Sequence, residues 1–236
     1  MKIGILMCGH APAEVQEHFG DYDRMFAGFL AGYDLTFQAW DVEAMDFPQS
    51  PADADGWLLT GSRHGVYEDH AFIPPLEKFV QDAHAQKAPM VGICFGHQLI
   101  ARALGGRVEK FDGGWAVGRY EYDFDQFGHL HLNAWHQDQV LDPPKGARTI
   151  ASNPTCAHAA LTYGDHIYTV QPHPEMPGPI IAEYVHLRRG TGTYPDEMMA
   201  RALTKTQKPN DEPVIAGEVA RFLLAAHAAR KGAAHV

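Results

Sequence analysis

The N-terminal half of the chain alternates short continuous apolar runs with longer segments in which apolar residues recur at helical spacing. Continuous apolar runs of roughly four to eight residues are typical of strands that are covered on both faces. The runs predicted as strands are Ile3–Cys8, Leu35–Trp40, Trp57–Thr60 and Pro89–Cys94. Between them the spacing predicts helices over 14–30, 74–86 and 95–104. This alternation predicts a mostly parallel open sheet with helices on both faces.

The pattern changes after Arg107, where short strand-like runs follow one another with turn residues between them. These runs cover 119–123, 129–135, 149–152, 157–163 and 166–170. Runs joined by short turns favour antiparallel pairing. We therefore expect an α/β fold of the flavodoxin-like type that carries added, partly antiparallel short strands.

The chain has 236 residues, of which 45% are hydrophobic, enough for one large domain with a substantial core. A helix is predicted over 177–189, an irregular segment over 190–213 and a further helix over Val214–Arg230. We expect a domain at 1–189 and a C-terminal extension at 190–236 whose helix packs on that domain. The alternative is that the apolar face of this helix, which includes Val219 and Leu223, docks a partner.

Charge and cysteine content argue against several classes of partner and location. The formal net charge is -10, which disfavours binding to nucleic acid and to anionic membranes, and no basic cluster is longer than Arg188-Arg189. The apolar N-terminus is shorter than a signal-peptide core, and no apolar stretch reaches the roughly 20 residues that span a bilayer. Three cysteines without C-x-x-C spacing fit a reducing compartment, so a cytoplasmic location is expected.

Cys94 lies where a predicted strand passes directly into a predicted helix, with Gly92 and Gly96 two residues away on either side. Such a turn lifts a side chain from the edge of the sheet and places a thiolate at a helix N-terminus, where negative charge is stabilised. The N–H of Phe95 is then placed to bind an oxyanion. A nucleophile and a small buried hydrophobe are both compatible with this context alone. Cys8 and Cys156 lack such a setting and are expected to be buried and inert.

His173 follows the last predicted strand and is bracketed by Pro172 and Pro174, which restrict its backbone. Glu175 lies two residues further on, so both side chains can project to the same side of an extended segment and form a hydrogen bond. A histidine oriented by a carboxylate is the general base that a cysteine nucleophile needs. The alternative is a solvated surface turn.

Together these motifs resemble class I glutamine amidotransferases over about residues 1–187. The family patterns G-x-C-x-G-x-Q and H-P-E stand here as residues 92–98 and 173–175. Leu59-Thr60-Gly61-Ser62 resembles the strand-end turn that supplies a second oxyanion N–H. His136-Gln137-Asp138-Gln139-Val140 resembles the H-x-D-x-V segment that lines the glutamine pocket in the GMP-synthetase-like branch. This chain departs from many relatives in its bulky Trp135 and in the extension after residue 189.

The resemblance implies a Cys94–His173–Glu175 triad that hydrolyses a γ-carboxamide through a γ-glutamyl thioester and releases ammonia. It implies an oxyanion hole at Gly61 and Phe95, and binding of the glutamate portion of the substrate by Gln98, Trp135 and His136. No cofactor is expected. A separate synthetase subunit could accept the ammonia, since the chain contains no recognisable synthetase motif. The alternative is a freestanding γ-glutamyl peptidase acting on glutathione-like or other γ-glutamyl compounds.

Two further function classes remain as alternatives. His129 and His131 share a strand face near His136, which would suit a metal, but no third ligand is convincing and no metal is expected. A non-catalytic module with the same fold would be expected to lack a member of the triad, whereas all three residues are present.

Overall fold

The computed structural model describes residues 1–233, and within them it has seven helices and eleven strands. The strands are β1 (Lys2–Leu6), β2 (Thr36–Trp40), β3 (Gly56–Leu59), β4 (Met90–Ile93), β5 (Arg107–Lys110), β6 (Ala116–Phe124), β7 (Gly128–His136), β8 (Asp138–Asp142), β9 (Ala147–Asn153), β10 (Cys156–Tyr163) and β11 (Ile167–Val170). The helices are α1 (Ala13–Phe19), α2 (Tyr22–Phe29), α3 (Ile73–Ala85), α4 (Phe95–Ala103), α5 (Gly178–Arg188), α6 (Asp196–Lys205) and α7 (Glu212–Ala233). The last three residues of the predicted extension, 234–236, lie outside the described residues.

The large sheet has the strand order β2-β1-β3-β4-β11-β10-β9-β6-β7. Neighbours from β2 to β11 pair in parallel, and neighbours from β11 to β7 pair antiparallel. The predicted fold class, a mostly parallel sheet with added antiparallel strands, is therefore confirmed. A separate antiparallel pair, β5 with β8, was not predicted. The burial along β5 explains the omission, because Val108 is its one buried side chain.

Alternate residues of the central strands enter two hydrophobic clusters on opposite faces of the sheet. Ile3 and Ile5 of β1 lie in one cluster with residues of α2, α5 and α7, while Leu6 lies in the other with residues of α3 and α4. Both faces are thus covered by helices, as expected, and the strand ends between them are fixed by packing on two sides.

The C-terminal helix α7 packs on the same face as α2. Ile215, Val219 and Leu223 are fully buried, and the ring of Phe222 lies 5.6 Å from that of Tyr168 on β11. Among the described residues, none of the helices has both the length and the apolar character needed to cross a membrane.

Two segments differ from the sequence-based prediction. The helix predicted over 14–30 is broken into α1 and α2, because Gly20 adopts φ 79° and the Asp21 side chain caps the N–H of Tyr22. The segment predicted as irregular, 190–213, contains α6, which buries Met199 and Ala202. The apolar residues of α6 recur at helical spacing, and Asp196 and Glu197 occupy its first turn, so the local sequence carries a helix signal that the prediction of an irregular segment overlooks.

Candidate active site

The residues singled out in the sequence meet at the carboxyl edge of the parallel half of the sheet. Gly61 follows β3, Cys94 follows β4 and His173 follows β11, and these three strands are neighbours in the sheet. Carboxyl ends of adjacent parallel strands lie at one edge, which is where ligands bind in open α/β sheets.

Cys94 has a backbone conformation that side chains rarely adopt, with φ 51° and ψ −102°. Its N–H donates to the carbonyl of Val170 at 2.9 Å, and its own carbonyl accepts from the N–H of Gln98 at 3.0 Å. The conformation therefore persists because the strand on one side and α4 on the other fix it. A residue in such a conformation costs on the order of 1–3 kcal/mol, and such strain is characteristic of functional sites.

Gly92 and Gly96 allow the turn around Cys94 to pack closely. A β-carbon on Gly96 would lie 2.4 Å from the carbonyl oxygen of Leu59, and one on Gly92 would lie 2.6 Å from the carbonyl oxygen of Gly96. Neither glycine has a positive φ. Their role here is close backbone packing of β4 and α4 against β3, which sets the position of Cys94.

His173 and Glu175 form a buried pair. The Nδ1 atom of His173 lies 2.7 Å from Oε1 of Glu175, and the side chains are 4% and 0% exposed. This contact directs the Nε2 edge of the imidazole away from Glu175. The hydrogen bond expected from the two-residue spacing is present.

The pKa of His173 reflects this pairing. Burial alone would lower the pKa, but the negative charge of Glu175 and that of a Cys94 thiolate outweigh it and hold the pKa well above the usual value. A hydrogen bond with the Cys94 side chain acts in the same direction. The imidazole is therefore poised to hold a proton next to the sulfur.

Asn133, which the sequence did not single out, anchors the loop that carries His173. Its carbonyl accepts from the N–H of His173 at 2.8 Å, and its side-chain Nδ2 donates to the carbonyl of Met176 at 2.8 Å. Asn133 is buried in the middle of β7. Its neighbours in sequence give no signal of this contact, because the loop arrives from a distant part of the chain.

Gly61 lies beside His173, and Phe95 directly follows Cys94. A β-carbon on Gly61 would lie 2.9 Å from Cε1 of His173, so this backbone touches the imidazole. Phe95 is the first residue of α4, where N–H groups have no acceptor within the helix. Both positions suit N–H donors aimed at an oxyanion, although that role remains a prediction.

A cavity of about 490 Å³ opens beside Cys94 and His173. Gln98 lines it, and its Nε2 donates to the carbonyl of Asp138 at 2.8 Å and to Oε1 of Gln171 at 3.1 Å. Since both amide hydrogens are used by the protein, Gln98 has its Oε1 atom to offer a ligand.

Trp135 and His136 also line the cavity. His136 is buried, and neither ring nitrogen has a hydrogen-bond partner within the described chain. Burial and the nearby positive charge of His173 lower the pKa of His136 to about 3, so its imidazole is neutral. A neutral, unpartnered imidazole beside a cavity is a candidate partner for a polar group of a ligand.

Three tyrosines that the sequence did not indicate also line the cavity: Tyr22 on α2, Tyr184 on α5 and Tyr194 between α5 and α6. The Nε1 atom of Trp135 donates to the hydroxyl of Tyr194 at 3.1 Å, and the Trp135 ring lies 5.2 Å from that of Tyr184. The Tyr184 hydroxyl lies 3.3 Å from that of Tyr22. Tyr194 belongs to the segment predicted as irregular, so the extension contributes directly to the cavity.

The other candidate groups lie elsewhere. Cys8 and Cys156 are buried, and burial raises the pKa of each thiol to about 12. His129 and His131 contact Glu121 rather than converging with His136. The structure therefore does not bring together the three histidines weighed as a metal site.

Comparison with known proteins agrees with the fold and the motifs. The model of the glutamine amidotransferase class-I family matches residues 30–179. A glutamine amidotransferase-like protein of Schizosaccharomyces pombe is 27% identical over 94% of this chain and 98% of its own length. Gamma-glutamyl peptidase 2 of Arabidopsis thaliana is 27% identical over 82% of this chain and 84% of its own length.

A solved structure has the same fold. The glutamine amido transferase from Methylobacillus flagellatus superimposes with a TM-score of 0.75 at 23% identity, over 98% of this chain and 94% of that one. The family model covers well over half of the chain and includes the Cys94 turn and the His173–Glu175 pair. The chain belongs to the glutamine amidotransferase class-I family.

Proposed function

We propose that the protein hydrolyses the γ-amide bond of glutamine-type substrates, with Cys94 as nucleophile, His173 as acid and base, and Glu175 as the group that orients His173. The observation that carries the proposal is the placement of Cys94, on a strained turn at a helix N-terminus, next to a buried imidazole that is hydrogen bonded to a carboxylate. Nucleophile, base and orienting group in mutual contact define this type of covalent catalysis.

In the first step the Cys94 thiolate adds to the γ-carbonyl carbon, and the carbonyl oxygen becomes an oxyanion. The N–H groups of Gly61 and Phe95 are the proposed donors to this oxyanion. As the intermediate collapses, His173 gives its proton to the departing amine, and a γ-glutamyl thioester remains on Cys94. The raised pKa of His173 supports this role, because the imidazole is protonated when the amine must leave.

In the second step the now neutral His173 takes a proton from a water molecule, and the resulting hydroxide adds to the thioester carbonyl. Collapse of this intermediate releases the γ-carboxylic acid, which loses its proton to solvent, and leaves the Cys94 thiolate and the protonated His173. Glu175 stays ionised and keeps Nδ1 of the imidazole in place throughout.

The cavity suits the amino-acid end of such a substrate because its lining carries both signs of charge. Lys110 and Arg188 supply positive groups, and Glu43 and Glu68 supply negative ones. An α-amino acid end presents an ammonium and a carboxylate together, so a surface of mixed charge favours it over an apolar ligand. We place Gln98, Trp135 and His136 among the groups that hold this end.

A γ-glutamyl peptidase activity is the second candidate. The cavity of about 490 Å³ falls within the range of roughly 300–1,000 Å³ that is typical for drug-sized ligands, larger than glutamine needs. A relative that spans most of this chain is a gamma-glutamyl peptidase. The chemistry up to the thioester is the same, and the two candidates differ in whether ammonia or a larger amine leaves.

The purified protein should be assayed without any added subunit on glutamine, glutathione and other γ-glutamyl amides, scoring ammonia and free amine separately. Preference for glutamine supports the first candidate, and preference for a γ-glutamyl peptide supports the second. In either case Cys94→Ala should remove at least 99% of the turnover, whereas Cys156→Ala should retain most of it. Turnover that survives in Cys94→Ala would contradict the proposed mechanism. If the purified protein hydrolysed none of these amides until a synthetase subunit was added, the proposal that it acts without a partner would be contradicted.

A further inference from the structure

Three potential metal ligands converge at the mouth of the cavity, on the loop between β3 and α3. His64, Glu68 and His70 each offer one ligand atom, and these atoms all lie within 4.8 Å of one another. Oε2 of Glu68 lies 2.8 Å from Nε2 of His70 and 3.7 Å from Nδ1 of His64. His64 and Glu68 also line the cavity that contains Cys94.

The second nitrogen of His64 is held by a carboxylate from another part of the chain. Nε2 of His64 lies 2.7 Å from Oε1 of Glu43, so this nitrogen donates its proton to the carboxylate. Nδ1 of His64 faces Oε2 of Glu68 and offers a lone pair to an ion when the imidazole is neutral. Histidines that bind metals almost always donate their other N–H to such a partner, which fixes the tautomer and raises the basicity of the ligating nitrogen.

Packing orders the loop before any ligand is present. The rings of His64 and His70 lie 5.8 Å and 5.9 Å from the ring of Phe72, which is buried. The backbone is closed by hydrogen bonds from Glu68 to Gly65 and from His70 to Glu68. The backbone of the loop is therefore already ordered, while the rings of His64 and His70, whose centroids lie 3.9 Å apart, must rotate away from each other to surround an ion.

We propose that His64, Glu68 and His70 bind one divalent transition-metal ion of the zinc type, with Glu43 orienting His64. Two imidazoles and one carboxylate are a donor set that suits zinc and related ions.

The separation of one pair of ligand atoms is close to what such an ion requires. Bonds of about 2.0–2.1 Å in a tetrahedron put neighbouring ligand atoms roughly 3.4 Å apart. The separation between His64 and Glu68 is near this value at 3.7 Å. The hydrogen bond between Glu68 and His70 must open, and Nε2 of His70 must give up its proton before it can bind the ion. Protons therefore compete with the ion, and binding should weaken at acidic pH.

Binding should be measured by isothermal titration of the full-length protein with zinc sulfate, in a Cys94→Ala background. That background removes the thiolate that could itself hold zinc beside His173. We expect one ion per chain, loss of at least 100-fold in affinity for His64→Ala and for His70→Ala, and a loss of roughly 10- to 100-fold for Glu43→Gln. Zinc should also raise the thermal midpoint of the Cys94→Ala protein but not that of the Cys94→Ala/His64→Ala protein.

His18→Ala in the same background is the matched control, since His18 is an exposed histidine 3.8 Å from a carboxylate oxygen of Glu183. It should bind zinc as tightly as the Cys94→Ala protein. Absence of stoichiometric binding to the Cys94→Ala protein would overturn the proposal. So would unchanged affinity in a His64→Ala/His70→Ala double variant, or an equal loss in His18→Ala. Circular dichroism of each variant without zinc separates loss of the site from loss of the fold.

Discussion

The backbone of Gly61 touches the imidazole of His173, because a β-carbon built on Gly61 would lie 2.9 Å from Cε1 of the ring. The turn after β3 thus packs against the Cε1 edge of His173, and the Glu175 carboxylate holds the neighbouring Nδ1 atom at 2.7 Å. The turn proposed to bind the oxyanion therefore also limits where the general base can lie.

Gly61→Ala should reduce kcat by at least about 100-fold while the protein remains folded. The added methyl group must displace His173 or the turn itself, and a misplacement of about 1 Å in a catalytic group costs on this scale. Steady-state kinetics together with circular dichroism would measure both effects. Gly28→Ala is the control, since a β-carbon there meets nothing within 4 Å, and it should leave kcat unchanged. Equal activity of the two variants would exclude Gly61 from the site.

Glu175→Gln should lower both kcat and the pKa of His173. The decrease in kcat should be roughly 10- to 1000-fold, smaller than for Cys94→Ala, because Glu175 orients the base without transferring a proton. NMR titration of His173 would follow the pKa.

The same variant should show a pH-dependent loss of stability. A histidine whose folded pKa is raised stabilises the fold fully below its unfolded pKa of about 6.5, and this contribution is lost as pH rises through the folded pKa. The difference in free energy of unfolding between the wild type and Glu175→Gln should therefore be largest near pH 6 and should shrink as pH increases. A difference that grows with pH would contradict the pairing.

His97→Gln should reduce the loss of stability that the protein shows as pH decreases below about 6.5. Burial, with a smaller effect of His136, lowers the pKa of His97 to about 3, so below about pH 6.5 the unfolded chain binds a proton that the folded chain does not. Stability from this group is present above about pH 6.5 and falls as pH decreases, by about 1.4 kcal/mol per pH unit. The free energy of unfolding should be measured by urea denaturation between about pH 4 and pH 6. Its dependence on pH should be weaker in the variant by the equivalent of about one proton. If the free energy of unfolding depended on pH equally in the variant and the wild type, His97 would have the same pKa in the folded and unfolded protein, which would contradict this prediction.

Leu223→Ala should lower the free energy of unfolding by about 2–5 kcal/mol, because Leu223 is fully buried in the core under α7. The adjacent residue provides the control, since Leu224 is 37% exposed and Leu224→Ala should change stability by about 0.5 kcal/mol or less. Urea denaturation of the two variants measures the difference.

A single transition in the wild type would support the proposal that the extension and residues 1–189 unfold as one unit, and two transitions would contradict it.

The sequence predicted those parts of the site that are encoded locally. The turn at Cys94 follows from a strand, two glycines and a helix that are contiguous, and the contact between His173 and Glu175 follows from a spacing of two residues. The alternation of apolar runs likewise predicted the parallel half of the sheet, because strands buried on both faces need continuous apolar sequence.

The remaining features depend on contacts between distant segments. Asn133 and Tyr194 act on the site only because β7 and the segment after α5 are folded against it, and neither has a distinctive neighbourhood in the sequence. Helix α6 is a different case, because its apolar residues do recur at helical spacing and only the polar composition of the surrounding segment favours an irregular structure. The break between α1 and α2 was overlooked because apolar spacing continues across Gly20 while the backbone does not.

The central claim, that Cys94 is the nucleophile, is tested most directly by covalent labelling with a chloroketone analogue of glutamine, followed by mass spectrometry of the digested protein. Cys8 and Cys156 are buried thiols whose pKa is raised to about 12, so neither should compete for the reagent. The expected result is one adduct per chain, on the peptide that contains Cys94, prevented by excess γ-glutamyl substrate. Labelling of Cys8 or Cys156 in preference to Cys94, or no labelling of the folded protein, would contradict it.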